Sequence, residues 1–193
     1  MSRALFIVDV QNDFTEGGAL GVVGGDAVAE GITAHLAAHA SEYAVIVASR
    51  DWHDAASDNG GHIALDAEPD FVETWPVHCI AGTAGADYDP GLDVSAVTHH
   101  VHKGQGVPAY SLFEGHTEAG ENVAAILTAH GVTDVDVTGI ATDYCVRASA
   151  LDAIEHGIHV RVLTGLIAGV AADSSEAALA ELAHAGAELV DAA

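Results

Sequence analysis

A chain of 193 residues with 29 Asp and Glu against five Lys and Arg carries a formal charge of −24. Such a surface repels phosphate backbones and anionic bilayers, which argues against nucleic acid or a membrane as partner. Hydrophobic residues make up 50% of the chain, but they never run on for the ~20 positions that cross a bilayer, and no basic stretch leads into an apolar segment at the N-terminus. The expectation is a soluble, cytoplasmic protein with one domain spanning 1–193. Its two cysteines, Cys79 and Cys145, lie far apart and in no paired motif, so no disulfide framework is expected. The acidic residues are spread along the chain and Lys103 is the only lysine, a balance suited to solubility in a salt-rich cytosol. A composition that has shed lysine retains one where an ammonium is chemically required, which marks Lys103 for attention.

In chain order, Ala4 to Val10 reads as a buried strand, and Asp26 to His39 as an amphipathic helix with Val28, Ile32, His35 and Leu36 on one face. Tyr43 to Ala48 is a second strand. The stretch from Trp52 to about Pro90, rich in Gly, Pro, Asp and His, has no regular period, and an irregular insert of that length inside a compact domain is more often functional than idle. Val97 to His102 is a third strand, Asn122 to His130 a helix ending at Gly131, and Val135 to Ile140 a fourth strand. A helix follows Thr142, with Val146, Ala150, Ala153 and Ile154 inward; then come a strand at His159 to Leu163, a helix starting at Asp173 with Glu176 in capping-box position, and a strand at Glu188 to Val190. Apolar strands separated by helices predict an α/β fold, a three-layer α/β/α sandwich on a central, mainly parallel six-stranded sheet.

Ligands of such sheets bind beyond the carboxyl ends of the strands. Asp9, the Asp51-Trp52-His53 triplet, Lys103 and the segment leading to Cys145 all fall there. With Thr142 as N-cap, Cys145 is the third residue of its helix, where free N–H groups and the dipole favour a thiolate. A nearby lysine lowers the thiol pKa further and a carboxylate can take its proton, so Asp9, Lys103 and Cys145 form a candidate catalytic set; the alternative for Cys145 is a buried structural thiol. Asp51 and His53, two apart on extended backbone, point to one side and with His78 and the nearby His62 form a candidate site for a divalent metal, zinc first, with iron or manganese as alternatives.

These segments, Val8-Asp9-Val10-Gln11-Asn12-Asp13-Phe14, Asp51-Trp52-His53, Trp75-Pro76-Val77-His78-Cys79, Lys103-Gly104 and Gly139-Ile140-Ala141-Thr142-Asp143-Tyr144-Cys145-Val146, resemble almost end to end the nicotinamidases of the isochorismatase-like cysteine hydrolases. The resemblance implies hydrolysis of nicotinamide to nicotinate and ammonia through a cysteine thioester, acceptance of pyrazinamide, and a place in NAD salvage. It implies Asp9 as base, Cys145 as nucleophile, Lys103 as the paired cation, and an oxyanion hole from the backbone N–H groups of Ala141 and Cys145 beyond a cis Ile140–Ala141 bond. It further implies one metal ion on Asp51, His53 and His78 that binds the substrate ring nitrogen, with Phe14, Trp75, Ala141 and Tyr110 around the ring. Some relatives carry a histidine six residues beyond the second metal ligand. Position 59 here is Asn, which leaves His62 as the candidate fourth protein ligand, with water otherwise completing the shell. Other amidohydrolases of the superfamily act on ureido or carbamoyl groups with the same Asp, Lys and Cys set but no metal, and a metal-hydroxide hydrolase or a non-catalytic scaffold are further alternatives. Self-association is left open.

Overall fold

The computed structural model describes residues 2–191. Six strands form one sheet: β1 (Ser2–Val8), β2 (Val45–Asp51), β3 (His99–Lys103), β4 (Val132–Ile140), β5 (His159–Ala168) and β6 (Glu188–Val190). Their order is β3-β2-β1-β4-β5-β6, and every neighbouring pair is parallel. Successive side chains of a strand face opposite sides, and β1 divides accordingly. Ala4, Phe6 and Val8 join Val45, Val47, Val135 and Val137 under three helices, α2 (Val123–Ala129), α3 (Arg147–Glu155) and α4 (Ala172–Ala185). Leu5 and Ile7 face the other way with Ile46 and Ala48, beneath α1 (Gly25–His39), which contributes Val28, Ala29, Ile32 and Leu36. Helices on both faces are what strands apolar on both sides require. Among the described residues no helix is long and apolar enough to cross a membrane.

The predicted elements are all present, with shifted ends. β2 runs on through Asp51, and β5 through Ala168. α2 begins where Asn122 caps it, its side chain accepting from the Ala125 N–H. Two predicted helix starts are corrected. α4 starts at Ala172 behind Ala171, with no side-chain cap, so the Asp173–Glu176 capping box does not form. Thr142 is not an N-cap either: Ala141 holds the extended cap position, and Thr142–Val146 is a π-helical turn leading into α3. Such turns gather at functional sites.

Candidate active site

The sheet reverses its order between β1 and β4, and that switch point is where a crevice opens in doubly wound sheets. Asp9 follows the last residue of β1, Asp51 and Lys103 end β2 and β3 side by side, and Cys145 lies in the π-turn after β4. Four neighbouring strand ends thus deliver the predicted nucleophile set to one place.

Lys103 is the hub. It is 1% exposed, and its Nζ pairs with Asp51 Oδ1, lies 2.9 Å from Asp9 Oδ2, and approaches the Ala109 carbonyl at 3.4 Å and Cys145 Sγ at 3.7 Å. Asp9 stands at φ 48, a left-handed conformation Asp adopts more readily than most residues, and its Oδ1 accepts from Ser49 Oγ at 2.7 Å. Its Oδ2 faces the Lys103 ammonium but accepts no hydrogen bond among the described residues, which leaves a lone pair available to receive a proton.

Charge balance decides the protonation of the thiol. Two carboxylates face one ammonium, so a thiolate would add a second net negative charge to a buried site. Burial pushes Cys145 well above the ordinary thiol value; Lys103 opposes this, while Asp9 and Asp51 reinforce it. Burial and the two carboxylates therefore work against the thiolate expected at a helix N-terminus. Burial also raises Asp9, opposed by Lys103 and reinforced by Asp51, which makes it a stronger base than an exposed carboxylate. For Lys103, burial lowers the ammonium, but Asp51 and Asp9 hold it well above the usual lysine value. Burial likewise raises Asp51, and Lys103, His53 and His78 overcome it to hold the carboxyl well below its usual range.

The second oxygen of Asp51 faces the histidines, 3.6 Å from His53 Nε2 and 3.9 Å from His78 Nε2. His53 Nδ1 donates to the Gly104 carbonyl at 2.9 Å and His78 Nδ1 to the Pro76 carbonyl at 2.7 Å, so each ring turns its Nε2 inward. His62 joins them: one ring nitrogen from each of His53, His62 and His78 lies within 4.8 Å of the other two. Burial holds His62 neutral, pushed down to about 4, and lowers His78 too. Among the described residues, His53 Nε2 and His62 Nδ1 are buried without a hydrogen-bond partner, an arrangement that costs free energy unless a cation accepts the lone pairs. The donor set thus fits a divalent ion. The Asn59 question resolves structurally. Asn59 is buried, its Oδ1 accepting from the N–H groups of Asp54 and Gly106, and Gly60 and Gly61 follow at φ 71 and 87, turning the loop so that His62 enters the group. Gly104 is needed for another reason, since a Cβ there would lie 2.6 Å from the His53 ring.

Beside these groups opens a cavity of about 390 Å³ lined by Phe14, Trp75, Tyr110, Tyr144 and Ala141, with Asp51, His78 and Cys145 in its wall. That size is at the lower end of the ~300–1,000 Å³ typical of small-molecule sites. Trp75 Nε1 donates to the Tyr110 hydroxyl at 3.0 Å, and the Trp75 ring meets Tyr144 edge-on at 5.1 Å. Of the predicted site residues, Phe14, Asp51, Trp75, His78, Tyr110, Ala141 and Cys145 line this cavity, while Asp9, Lys103, His53 and His62 connect to it through Asp51 or the histidine group; the Ile140–Ala141 bond is cis. A larger depression of about 550 Å³ over Asp13, Glu16, Asp26, Glu30 and Asp89 contains no histidine or cysteine.

Three supporting residues had no role assigned from sequence. Gln11 clamps Asp51 by accepting from its N–H at 2.8 Å and donating to its carbonyl at 3.0 Å. Asp13 accepts from the Cys79 N–H at 2.6 Å, fixing the peptide next to His78. Asp143 accepts from Val170 N–H at 3.0 Å and Ser174 Oγ at 2.5 Å, tying the π-turn to the start of α4. Gln11 and Asp13 lie in the opening motif and Asp143 in the cysteine motif, but only the fold shows what they reach.

The isochorismatase domain model matches residues 3–193. The chain is 50% identical over 188 residues, 97% of its length and 98% of the relative's, to a nicotinamidase/pyrazinamidase of Mycobacterium tuberculosis. Among solved structures it resembles the pyrazinamidase of Pyrococcus horikoshii in complex with zinc, at 36% identity and a TM-score of 0.81, over 98% of this chain and 99% of that one. It also resembles PnC1 from L. infantum in complex with nicotinate, at 34% identity and a TM-score of 0.83, over 98% and 92%. A match along almost the whole chain, carried by the same segments that converge on the cavity, makes this protein a member of the isochorismatase family.

Proposed function

We propose that this protein is a nicotinamidase that hydrolyses nicotinamide to nicotinate and ammonia, accepts pyrazinamide, and serves NAD salvage in the cytoplasm. The observation that carries the reading is the joining of two sets of groups through one buried ion pair: Lys103 holds Asp51, which faces three histidines, and Asp9, which faces the Cys145 thiol.

With the carboxamide carbon against Sγ, Asp9 takes the thiol proton as sulfur attacks. The negative charge then moves to the former carbonyl oxygen, where the Ala141 and Cys145 N–H groups receive it. Collapse of the tetrahedral intermediate breaks the C–N bond, and the leaving nitrogen departs as ammonia with the proton from Asp9. Asp9, again a carboxylate, deprotonates a water that adds to the thioester; breaking the C–S bond releases nicotinic acid, the proton on Asp9 returns to sulfur, and the acid gives its own proton to the released ammonia to leave as nicotinate. Lys103 keeps one positive charge beside Asp9 throughout, so proton transfer never leaves an isolated buried anion. Phe14, Trp75 and Tyr110 pack around the heteroaromatic ring. His53, His62 and His78, with Asp51 beside them, would hold one divalent ion, zinc first by donor type, with iron or manganese as alternatives. When bound, that ion supplies a Lewis-acidic docking point for the ring nitrogen.

The test is ammonia release from nicotinamide, combined with rapid-quench mass spectrometry. A nicotinoyl adduct is expected only on the peptide containing Cys145, and turnover without any such adduct would overturn the route. Stripping the metal should lower the melting temperature as well as the activity, because ligands that bind only the folded state stabilise it. Zinc should restore both, and His53→Ala should abolish the thermal effect of zinc. Full nicotinamide turnover by metal-free protein would favour the ureido or carbamoyl hydrolases instead.

We infer also that the fold is adapted to high salt. All five cations already face carboxylates: Lys103 faces Asp9 and Asp51, Arg3 and Arg161 share Asp136, Arg50 faces Asp87, and Arg147 faces Glu181. Most of the 29 acidic residues are left to repel one another. Ions shorten the range of that repulsion from ~10 Å at 0.1 M to ~3 Å at 1 M. The melting temperature should therefore rise between dilute buffer and molar KCl, and a flat response would count against the inference.

A further inference from the structure

Phe71 combines properties that an ordinary surface residue lacks. It is 55% exposed, its backbone stands at φ 58, and its ring lines the reaction cavity. A non-glycine residue in that region is strained and persists only where its surroundings enforce it. Here they do. Asp70 Oδ1 accepts from the N–H groups of Val72, Glu73 and Thr74, each at 2.9 Å, while Phe71 N–H donates to the Thr74 carbonyl at 3.0 Å. Those N–H groups hold the Asp70 carboxyl well below the usual carboxylate range. The ring so presented meets Trp75 edge-on at 6.2 Å, extending the aromatic wall outward.

Exposure gives the cavity its direction. Asp51, Trp75, His78 and Cys145 are buried, whereas Phe71 and Val170 are the exposed large apolar residues of its lining, at 55% and 54%. The reacting groups are therefore at the inner end and Phe71 at the rim. We infer that Phe71 is a specificity-determining residue: its ring closes the outer end of the cavity over a single six-membered heteroaromatic ring and excludes fused bicyclic carboxamides. The inference rests on the nicotinamidase reading, which assigns the inner end to the carboxamide and does not itself assign the rim.

The experiment compares kcat/KM for nicotinamide and for a quinoline carboxamide in metal-loaded wild type, Phe71→Ala and Phe71→Trp. Because Phe71 is largely exposed, circular dichroism should show both variants folded. The alanine variant should raise the ratio of bicyclic to monocyclic activity by about tenfold or more, within the range that one apolar contact commands in a specificity pocket. The tryptophan variant should lower it. If wild type is active on nicotinamide and neither variant moves the ratio by more than about twofold, the assignment of Phe71 fails alone. If wild type releases no ammonia from nicotinamide, the nicotinamidase reading fails and takes this assignment with it.

Discussion

Replacing Cys145 by alanine should reduce ammonia release from nicotinamide by on the order of 10⁴- to 10⁶-fold, the range seen when a covalent nucleophile is removed from an otherwise intact site. Sγ lies beside the buried ion pair, with Lys103 Nζ at 3.7 Å. The substitution removes one sulfur atom from a buried position beside the cavity and leaves both carboxylates paired to the ammonium. The variant should therefore fold and still bind substrate, which thermal denaturation with and without nicotinate would show. Turnover within tenfold of wild type would transfer the chemistry to the histidine group and favour a metal-hydroxide hydrolase, since hydroxide generated on an ion needs no thiol.

Lys103→Met is expected to have the largest effect on stability. The methionine fills a similar volume, but it strands Asp9 and Asp51, both buried, without their shared cation. Breaking a buried pair in this way typically costs ~3–5 kcal/mol, a large share of the ~5–15 kcal/mol that holds most domains folded. The sign of the pH dependence follows from the shifts. Asp51 is held low in the folded state, so its stabilising contribution is present above its unfolded pKa of ~3.9 and is lost as pH falls through the folded value. Lys103 is held high, so its contribution is present below its unfolded pKa of ~10.4 and is lost only as pH rises through a still higher folded value. The gap between wild type and variant should thus be widest near neutral pH and narrow as carboxylates become protonated in acid. Denaturant titrations at neutral pH and near pH 4 would measure it. A neutral-pH difference below about 0.5 kcal/mol, the scale of ordinary surface changes, would show that Lys103 is not the cation holding these carboxylates.

The wider arrangement explains why the supporting residues are spread so far along the chain. Gln11 reaches Asp51, Asp13 reaches Cys79 and Asp143 reaches Val170, so each motif is held by a side chain from a different motif or from the start of a helix. A site made from four strand ends has little local rigidity. These cross-ties supply it.

Periodicity alone determined the strands, the helices, their parallel arrangement and the sheet edge on which Asp9, Asp51, Lys103 and Cys145 collect, because alternation and helical spacing are local properties of the chain. The motifs likewise determined the family. Three things depended on tertiary structure. Lys103 bridges Asp9 to Asp51 because β2 and β3 pair in the register Asp51↔Lys103, a relation between segments 52 residues apart. His62 enters the histidine group because Asn59, Gly60 and Gly61 turn backwards, which shifts its ring by more than spacing could indicate. The surroundings of Cys145 also oppose the effect of its position near a helix start, since burial and two nearby carboxylates raise its thiol pKa. Desolvation and charge act through space, and their balance exists only once distant residues have been brought together.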